Sequence, residues 1–392
     1  MTPGTAPSPR TLAGLRLALF TDTYAPQVNG VSRTLERLVQ AVEAGGGVVR
    51  VETVEDPEAT PHARERRWSS SPFWAYPQLR MSVPKRAAVL RGLRAFRPTL
   101  VHAATPFGVG LAGRRAARTL GVPLVTSYHT SFSEYLRHYK LSALDAVAWP
   151  FLRWFHNAGA RTFAPSRMVA ADLVARDFRN VRVWGRGVDP LRFHPRFRSD
   201  AMRAAMGAGE RDIVVAYVGR LAPEKGIHVA LDGLRQVMAA SGDRVRIAIA
   251  GDGPDEARCR AMAPRGTWFA GALRGQALSQ FYASADLFVF PSTTETFGNV
   301  VLEAMASGLP VIGPDVGATL ELANADTAQL FRGGDAASLA EAVHRLVGDA
   351  SRRAQLRRAG LDVAAARTWD AIWVALFSEY RQVLASQTAR AA

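Results

Sequence analysis

The 392-residue chain contains one cysteine, Cys259, and only three lysines, Lys85, Lys140 and Lys225. One thiol cannot form a disulfide framework or a thiolate metal cage, so Cys259 is predicted to be a small residue within a helix. No stretch approaches the roughly 20 apolar residues of a membrane helix. Residues 15–20 are apolar but too short for a signal peptide, and they predict a first strand. These absences predict a cytoplasmic protein without a transmembrane segment.

Positive charge is in excess, with 49 lysines and arginines against 34 acidic residues and a formal net charge of +15. Such a surface attracts anions. Nearly all the cations are arginine, and a genomic bias also explains this excess. A lysine retained inside a motif is therefore a stronger indication of a functional role than an arginine. A basic nucleic-acid-binding or nucleotide-binding protein without transferase activity is therefore an alternative. The sequence has no RRM, KH, zinc or helix-turn-helix signature to support it.

Strand-like and helix-like segments alternate along the chain, which predicts parallel sheets covered by helices. Length favours two domains. The stretch 185–211 holds Pro190, Pro195 and many charges but no clear strand, so we place the boundary there. The predicted domains are 1–190 and 191–369, with a helix at about 370–392 that packs back on the first. The predicted strands are 15–20, 99–102, 123–127, 161–164, 181–184, 213–218, 245–250 and 286–290.

A basic motif follows the predicted strand 213–218 and reads Val-Gly-Arg-Leu-Ala-Pro-Glu-Lys-Gly. Ligands of parallel α/β sheets lie at the carboxyl ends of strands, beside helix N-termini. There, Arg220 would hold a pyrophosphate through its planar fork and Lys225 as a point charge. The alternative is a basic surface turn. The spacing is not that of a P-loop.

An acidic motif spans 295–308 and reads Glu-Thr-Phe-Gly-Asn-Val-Val-Leu-Glu-Ala-Met-Ala-Ser-Gly. Glu303 falls in an apolar helix, where a carboxylate needs a partner. A ribose diol would suit it, as in dinucleotide sites, and Glu295 in the preceding loop would contact the sugar. The alternatives are a buried salt bridge for Glu303 and a solvated loop position for Glu295.

The two motifs together resemble the signature of the retaining nucleotide-sugar glycosyltransferases of family 4, in which a basic pair precedes two glutamates with seven residues between them. The resemblance extends over nearly the whole chain and includes residues 20–34, 125–130, 184–189 and 193–199. It implies an α/β fold of the GT-B architecture, with two Rossmann-like domains whose parallel sheets face a central cleft. The sequence is most similar to the branch of lipid mannosyltransferases and sulfoquinovosyl-diacylglycerol synthases.

The resemblance also implies roles for single residues. His129 matches the histidine that contacts the donor sugar, although a histidine after a buried strand is more often a core hydrogen-bonding residue. Gly30 ends a loop whose N–H groups approach the donor phosphate, and Asn29 stands where many relatives have a second glycine. The residues implied in catalysis are His129, Arg220, Lys225 and Glu295, and those implied in donor binding are Gly30, Gly251, Gly253, Phe297, Gly298, Asn299 and Glu303.

The implied reaction moves a hexosyl group from a nucleoside diphosphate to a hydroxyl of a lipid or glycan, with retention of configuration. Mannose from GDP-mannose is the first candidate. The alternatives are a UDP-sugar-dependent glucosyl or sulfoquinovosyl glycolipid synthase and a nucleotide-sugar epimerase on the same fold. No cofactor or metal ion is expected, because two side-chain cations stabilise the leaving diphosphate. Nucleic acid is not expected as a partner.

The run from residue 132 to 161 is rich in aromatic and basic side chains. It predicts either a helical pair packed in the first domain or a surface that binds anionic membranes. The second interpretation places the protein on the inner face of the membrane as a peripheral protein. The segment 45–68 is shorter and more charged than the corresponding segment of the family. Because this face usually takes part in acceptor recognition, the sequence leaves the identity of the acceptor open.

Overall fold

The computed structural model describes residues 11–27, 29–73, 76–129, 145–241 and 244–391. Its contacts divide the chain into two compact units, Met1–Gly185 with Ile372–Ala392, and Arg186–Ala371. The chain therefore enters the second unit after Gly185 and returns to the first before Ile372. The sequence analysis predicted the first boundary between residues 190 and 191 and the second between residues 369 and 370.

The first unit is built on a sheet of seven parallel strands, in the order β3-β2-β1-β6-β7-β8-β9. A separate antiparallel pair is formed by β4 and β5. The strands are β1 Arg16–Phe20, β2 Val48–Val54, β3 Glu65–Trp68, β4 Ser71–Phe73, β5 Tyr76–Met81, β6 Leu100–Ala103, β7 Leu124–Ser127, β8 Arg161–Ala164 and β9 Val181–Val183. The helices are α1 Gly30–Ala44, α2 Arg86–Phe96, α3 Gly108–Leu120, α4 Asp145–His156 and α5 Arg167–Ala175.

The central strand β1 is buried on both faces because helices cover both sides of the sheet. Leu17 pairs with Val49 of β2 and with Leu100 of β6. Leu17, Leu19 and Phe20 are fully buried. A near-continuous apolar run is typical of such a strand.

Strands β2 and β3 were not predicted, because charged residues interrupt their apolar pattern. The carboxylate of Glu52 is fully buried on β2. It accepts hydrogen bonds from Arg50 Nε at 2.7 Å and from the Trp68 indole N–H at 2.8 Å. These contacts satisfy a buried charge that would otherwise oppose a strand here.

The second unit is built on a sheet of six parallel strands, in the order β12-β11-β10-β13-β14-β15. The strands are β10 Ile213–Val218, β11 Val245–Ala250, β12 Trp268–Gly271, β13 Leu287–Val289, β14 Val311–Pro314 and β15 Ala328–Phe331. The helices are α6 Asp200–Ala205, α7 Ile227–Ser241, α8 Glu256–Met262, α9 Gly275–Ser284, α10 Asn299–Ala306, α11 Ala336–Gly348 and α12 Ala350–Ala365. Cys259 is buried in α8, as a small helical residue.

The last helix, α13 Trp369–Ala391, returns to the first unit. Its Tyr380 hydroxyl lies 2.7 Å from Nδ1 of His102, and its Glu379 accepts from Arg161 Nε at 2.7 Å. Both partners lie on strands of the first sheet, so α13 is fixed to this unit by polar contacts as well as by packing. Among the described helices, none has the length and apolar character to span a membrane.

Candidate active site

The basic motif lies in the loop between β10 and α7, at the carboxyl end of a central strand. Lys225 ends a short 3-10 helix, Pro223–Lys225, and Gly226 follows it with a left-handed φ of 66°. The hydroxyl of Tyr217, at the end of β10, donates to the carbonyl oxygen of Arg220 at 3.1 Å. A buried tyrosine at the end of β10 therefore holds the loop that carries both cations.

A second loop, after β11, is packed against this basic loop through backbone atoms. Leu221 donates to the carbonyl of Asp252 at 2.7 Å. A Cβ atom at Gly251 would lie 1.9 Å from the Gly219 carbonyl oxygen, and one at Gly253 would lie 2.3 Å from that of Leu221. Both glycines are required because the two backbones touch. This packing explains Gly251 and Gly253 without a ligand, and their donor role stays a prediction.

Each cation of the basic motif is paired with a carboxylate. Lys225 Nζ bonds to Oε1 of Glu295, which brings together one residue from each motif. Arg220 bonds to Glu224, four residues further along the chain. The hydroxyl of Thr294 donates to the Glu224 carbonyl at 3.1 Å and ties the acidic loop to the basic one. The two motifs thus form one cluster at the carboxyl edge of the sheet.

The helix of the acidic motif is α10. Gly298 caps it with a left-handed φ of 93°, and Asn299 is its first residue. Phe297 is buried in the core of the unit. Glu303 is half-buried, and its Oε2 accepts a hydrogen bond from the Tyr282 hydroxyl at 3.1 Å. The Tyr282 hydroxyl thereby orients this carboxylate.

Two predicted site residues, Gly30 and His129, belong to the first unit. Gly30 is the first residue of α1, and the side chain of Asn29 caps this helix by accepting from the N–H groups of Val31 at 3.0 Å and Ser32 at 2.8 Å. His129 follows β7, and its ring meets the buried indole of Trp184 edge-on with centroids 5.4 Å apart.

Three residues in this cluster escaped the sequence analysis. Glu224 could have been found, because it lies four positions after Arg220 and side chains at this spacing meet across one turn. Tyr217 and Tyr282 could not, because each resembles an ordinary apolar position of a buried strand or helix.

The sequence matches two family descriptions, "Glycosyltransferase Family 4" over residues 28–192 and "Glycosyl transferases group 1" over residues 212–349. A GDP-mannose-dependent alpha-mannosyltransferase of Mycolicibacterium smegmatis is 35% identical over 96% of this chain and 100% of its own length. This chain belongs to glycosyltransferase family 4. The predicted family is thereby confirmed. Family membership decides against the non-enzymatic binding protein and against the epimerase.

Two further similarities place this family 4 glycosyltransferase among its relatives. A sulfoquinovosyl transferase of Arabidopsis thaliana is 34% identical over 91% of this chain and 71% of its own length. A sucrose-phosphate synthase from Thermosynechococcus elongatus superposes with a TM-score of 0.77 at 21% identity, covering 95% of this chain and 100% of that one. The structural similarity confirms the GT-B fold class.

Proposed function

We propose that this glycosyltransferase moves a mannosyl group from GDP-mannose to a hydroxyl of a lipid or glycan, with retention of anomeric configuration. The observation that carries the proposal is the cluster of Arg220, Glu224, Lys225 and Glu295 at the carboxyl edge of the second sheet, with Glu303 on the helix that follows the acidic loop. Mannose is favoured because mannosyltransferases are similar along the whole chain.

The basic loop would bind the donor diphosphate. As the bond between C1 of the sugar and the diphosphate oxygen breaks, negative charge accumulates on the leaving group, and fixed cations nearby lower the barrier. Arg220 and Lys225 are already held by carboxylates, so they need little reorganisation to contact the diphosphate. We propose that this loop makes a metal ion and any other cofactor unnecessary.

The two glutamates would contact different parts of the donor, the ribose and the transferred sugar. Glu303, oriented by Tyr282, accepts hydrogen bonds from the ribose hydroxyls. Glu295, oriented by Lys225, positions the sugar and does not attack it. The acceptor hydroxyl adds to C1 on the face from which the diphosphate leaves, and its proton passes to the departing phosphate oxygen. The family's role for His129 is contact with the same sugar.

In the first unit, Gly30 would allow the α1 N-terminus to approach the donor phosphate. The N–H groups of Val31 and Ser32 bond to Asn29 in this structure, so the Asn29 side chain would have to turn aside for a phosphate to bind them. The phosphate oxygens of the donor would then accept the two hydrogen bonds that the Asn29 side chain accepts in this structure.

The acceptor is proposed to be a lipid or a glycan, reached at an anionic membrane surface. Residues 132–144 of the predicted aromatic and basic run lie outside the described residues. In its described part, Leu152 and Phe155 are buried, as in the packed-helix interpretation. Val147 and Trp154 are 69% and 49% exposed, and the Arg114 guanidinium lies 3.6 Å from the centre of the Trp154 ring. Exposed indole beside cations suits a lipid interface.

Vesicle co-sedimentation tests this surface. The protein should bind anionic vesicles at low salt and bind them more weakly at high salt, since the Debye length shrinks. Trp154→Ser should reduce binding, whereas Leu191→Ser, at an apolar side chain of the second unit that is 73% exposed, serves as the control. Equal binding of the wild-type protein to neutral and anionic vesicles would contradict the proposal.

A panel of nucleotide sugars tests the donor. We expect GDP-mannose to raise the melting temperature and to be hydrolysed slowly without acceptor, while UDP-glucose and UDP-sulfoquinovose do neither. Stabilisation at 100 times the dissociation constant amounts to about 2.7 kcal/mol. The second candidate, a UDP-sugar-dependent glycolipid synthase, is favoured by the similar sulfoquinovosyl transferase. Stabilisation by a UDP-sugar alone would replace the first proposal with the second.

A further inference from the structure

A small basic cavity lies at the amino-terminal edge of the second sheet. Its volume is about 240 Å³, and Asp286 and Pro310, which line it, immediately precede β13 and β14. The proposed donor cluster lies at the opposite, carboxyl-terminal edge of the same sheet. The cavity is therefore separate from the donor site by the topology of the fold.

Arginines dominate the charge of this cavity. Arg198, Arg353 and Arg357 line it, and Asp286 is its one acidic lining residue within the described part of the chain. Asp286 is already bonded to the buried Arg203, at 2.8 Å, and to the N–H of Val214, at 2.9 Å. The lining residues therefore carry an excess of positive charge, because Asp286 is shared between Arg203 and Arg198, and the latter is 3.4 Å from it.

The arginines differ in how many hydrogen bonds their guanidinium groups make with protein atoms. Arg353 donates to the carbonyls of Leu346 and Val347, and Arg198 makes only long contacts of 3.4 Å with Ala285 and Asp286. Arg357 makes no hydrogen bond or ion pair with any residue that the structure describes. It presents up to five N–H donors.

Ser307 also lines the cavity. Ser307 is 3% exposed, and its hydroxyl has no hydrogen-bond partner within the described ranges. Gly308 beside it has a φ of 78°, and a Cβ there would lie 2.9 Å from Pro195 and 3.2 Å from Arg357 Nε. A side chain at position 308 would therefore displace Arg357. A buried hydroxyl without a partner is costly, and a bound ligand would relieve that cost.

We propose that this cavity binds a phosphate group, either as free phosphate or as part of a small phosphorylated metabolite. The arginine fork matches the phosphate oxygens, and the volume is below that of sites for larger organic ligands. Ser307 caps α10, the helix that carries Glu303 one turn earlier. Occupancy of the cavity is thereby connected to the donor site through a single helix.

Inorganic phosphate is the probe for the test, titrated at constant ionic strength against a chloride control while the melting temperature is followed. The wild-type protein should show a saturable rise. Arg357→Gln should weaken the apparent affinity at least about tenfold, as expected for one lost charge-assisted contact. Arg358→Gln, which removes the same charge from the next position of α12, should leave the affinity unchanged. Ser307→Ala should lower it.

The donor site also attracts phosphate, so Lys225→Ala is titrated in parallel. We expect the response that depends on Arg357 to persist in this variant. A response abolished by Lys225→Ala and unaffected by Arg357→Gln would place all phosphate in the donor site and overturn the proposal. Equal losses in Arg357→Gln and Arg358→Gln would show an unspecific charge effect and would overturn it as well.

Discussion

Replacing Gly251 with alanine tests how the basic loop is held in place. The residue has a φ of 147°, which side chains rarely adopt, and a Cβ atom would lie 1.9 Å from the carbonyl oxygen of Gly219. The two loops must therefore separate by more than about 1 Å, since non-bonded atoms lie about 3.5 Å apart. Separation strains the bonds from Gly219 to Ala250, at 3.0 Å, and from Leu221 to Asp252, at 2.7 Å.

The expected loss of stability has two contributions. Backbone strain of this kind costs about 1–3 kcal/mol, and two weakened hydrogen bonds add about 1 kcal/mol each. The free energy of unfolding should therefore fall by about 3–5 kcal/mol, a large part of the usual total of roughly 5–15 kcal/mol. A displacement near 1 Å at Arg220 should in addition lower turnover about 100-fold.

Gly266 provides the matched control for this substitution. It also has a left-handed φ, of 84°, but a Cβ there would meet nothing within 4 Å. Gly266→Ala should cost about 1 kcal/mol and leave turnover unchanged. Urea unfolding and donor hydrolysis at a temperature where both variants are folded provide the comparison. If Gly251→Ala were no more destabilising than Gly266→Ala and fully active, the backbone contact would not position Arg220.

Other predictions concern the charged groups. Arg220→Ala and Lys225→Ala should each lower turnover about 100-fold or more, the size of effect seen when a stabilising donor is removed, with little change in melting temperature. Unchanged turnover in steady-state assays would remove the basic loop from the reaction. Glu303→Gln should weaken binding of GDP in calorimetry, whereas Glu295→Gln should leave GDP affinity unchanged and lower turnover of GDP-mannose; similar effects on GDP binding would refute this division. Burial raises the pKa of the Asp22 carboxyl to about 6, so the folded protein keeps a proton that the unfolded chain releases at lower pH. The free energy of unfolding should thus fall as the pH rises from about 4 to about 6. Urea titrations should show that the Asp22→Asn variant lacks this pH dependence.

The sequence predicted the two motifs at strand ends because their signals are local. A buried strand followed by glycine and charged residues identifies a carboxyl edge without knowledge of the rest of the fold. The placement of Lys225 after β10 and of Glu295 after β13 follows from this rule. The amphipathic pattern of the last helix likewise predicted α13.

The remaining features depend on contacts between distant residues. Strands β2 and β3 contain charged residues that become acceptable only through pairs such as Glu52 with Arg50 and Trp68. The short strands β12, β14 and β15 were also missed, because Gly271 ends β12, Gly313 and Pro314 end β14, and Gln329 interrupts the apolar run of β15. Tyr282 reaches Glu303 from another helix, a contact that no local pattern indicates.

The measurement that tests the central claim most directly is proton NMR of the reaction with GDP-mannose, with and without a metal chelator. We expect the donor signals to disappear in the presence of acceptor lipid, GDP to accumulate, and the new mannoside to have the α configuration of the donor in both samples. Lys225→Ala, measured beside the wild-type protein, should leave the donor nearly intact. A product of β configuration would contradict a retaining reaction, and no consumption of GDP-mannose would contradict the proposed donor.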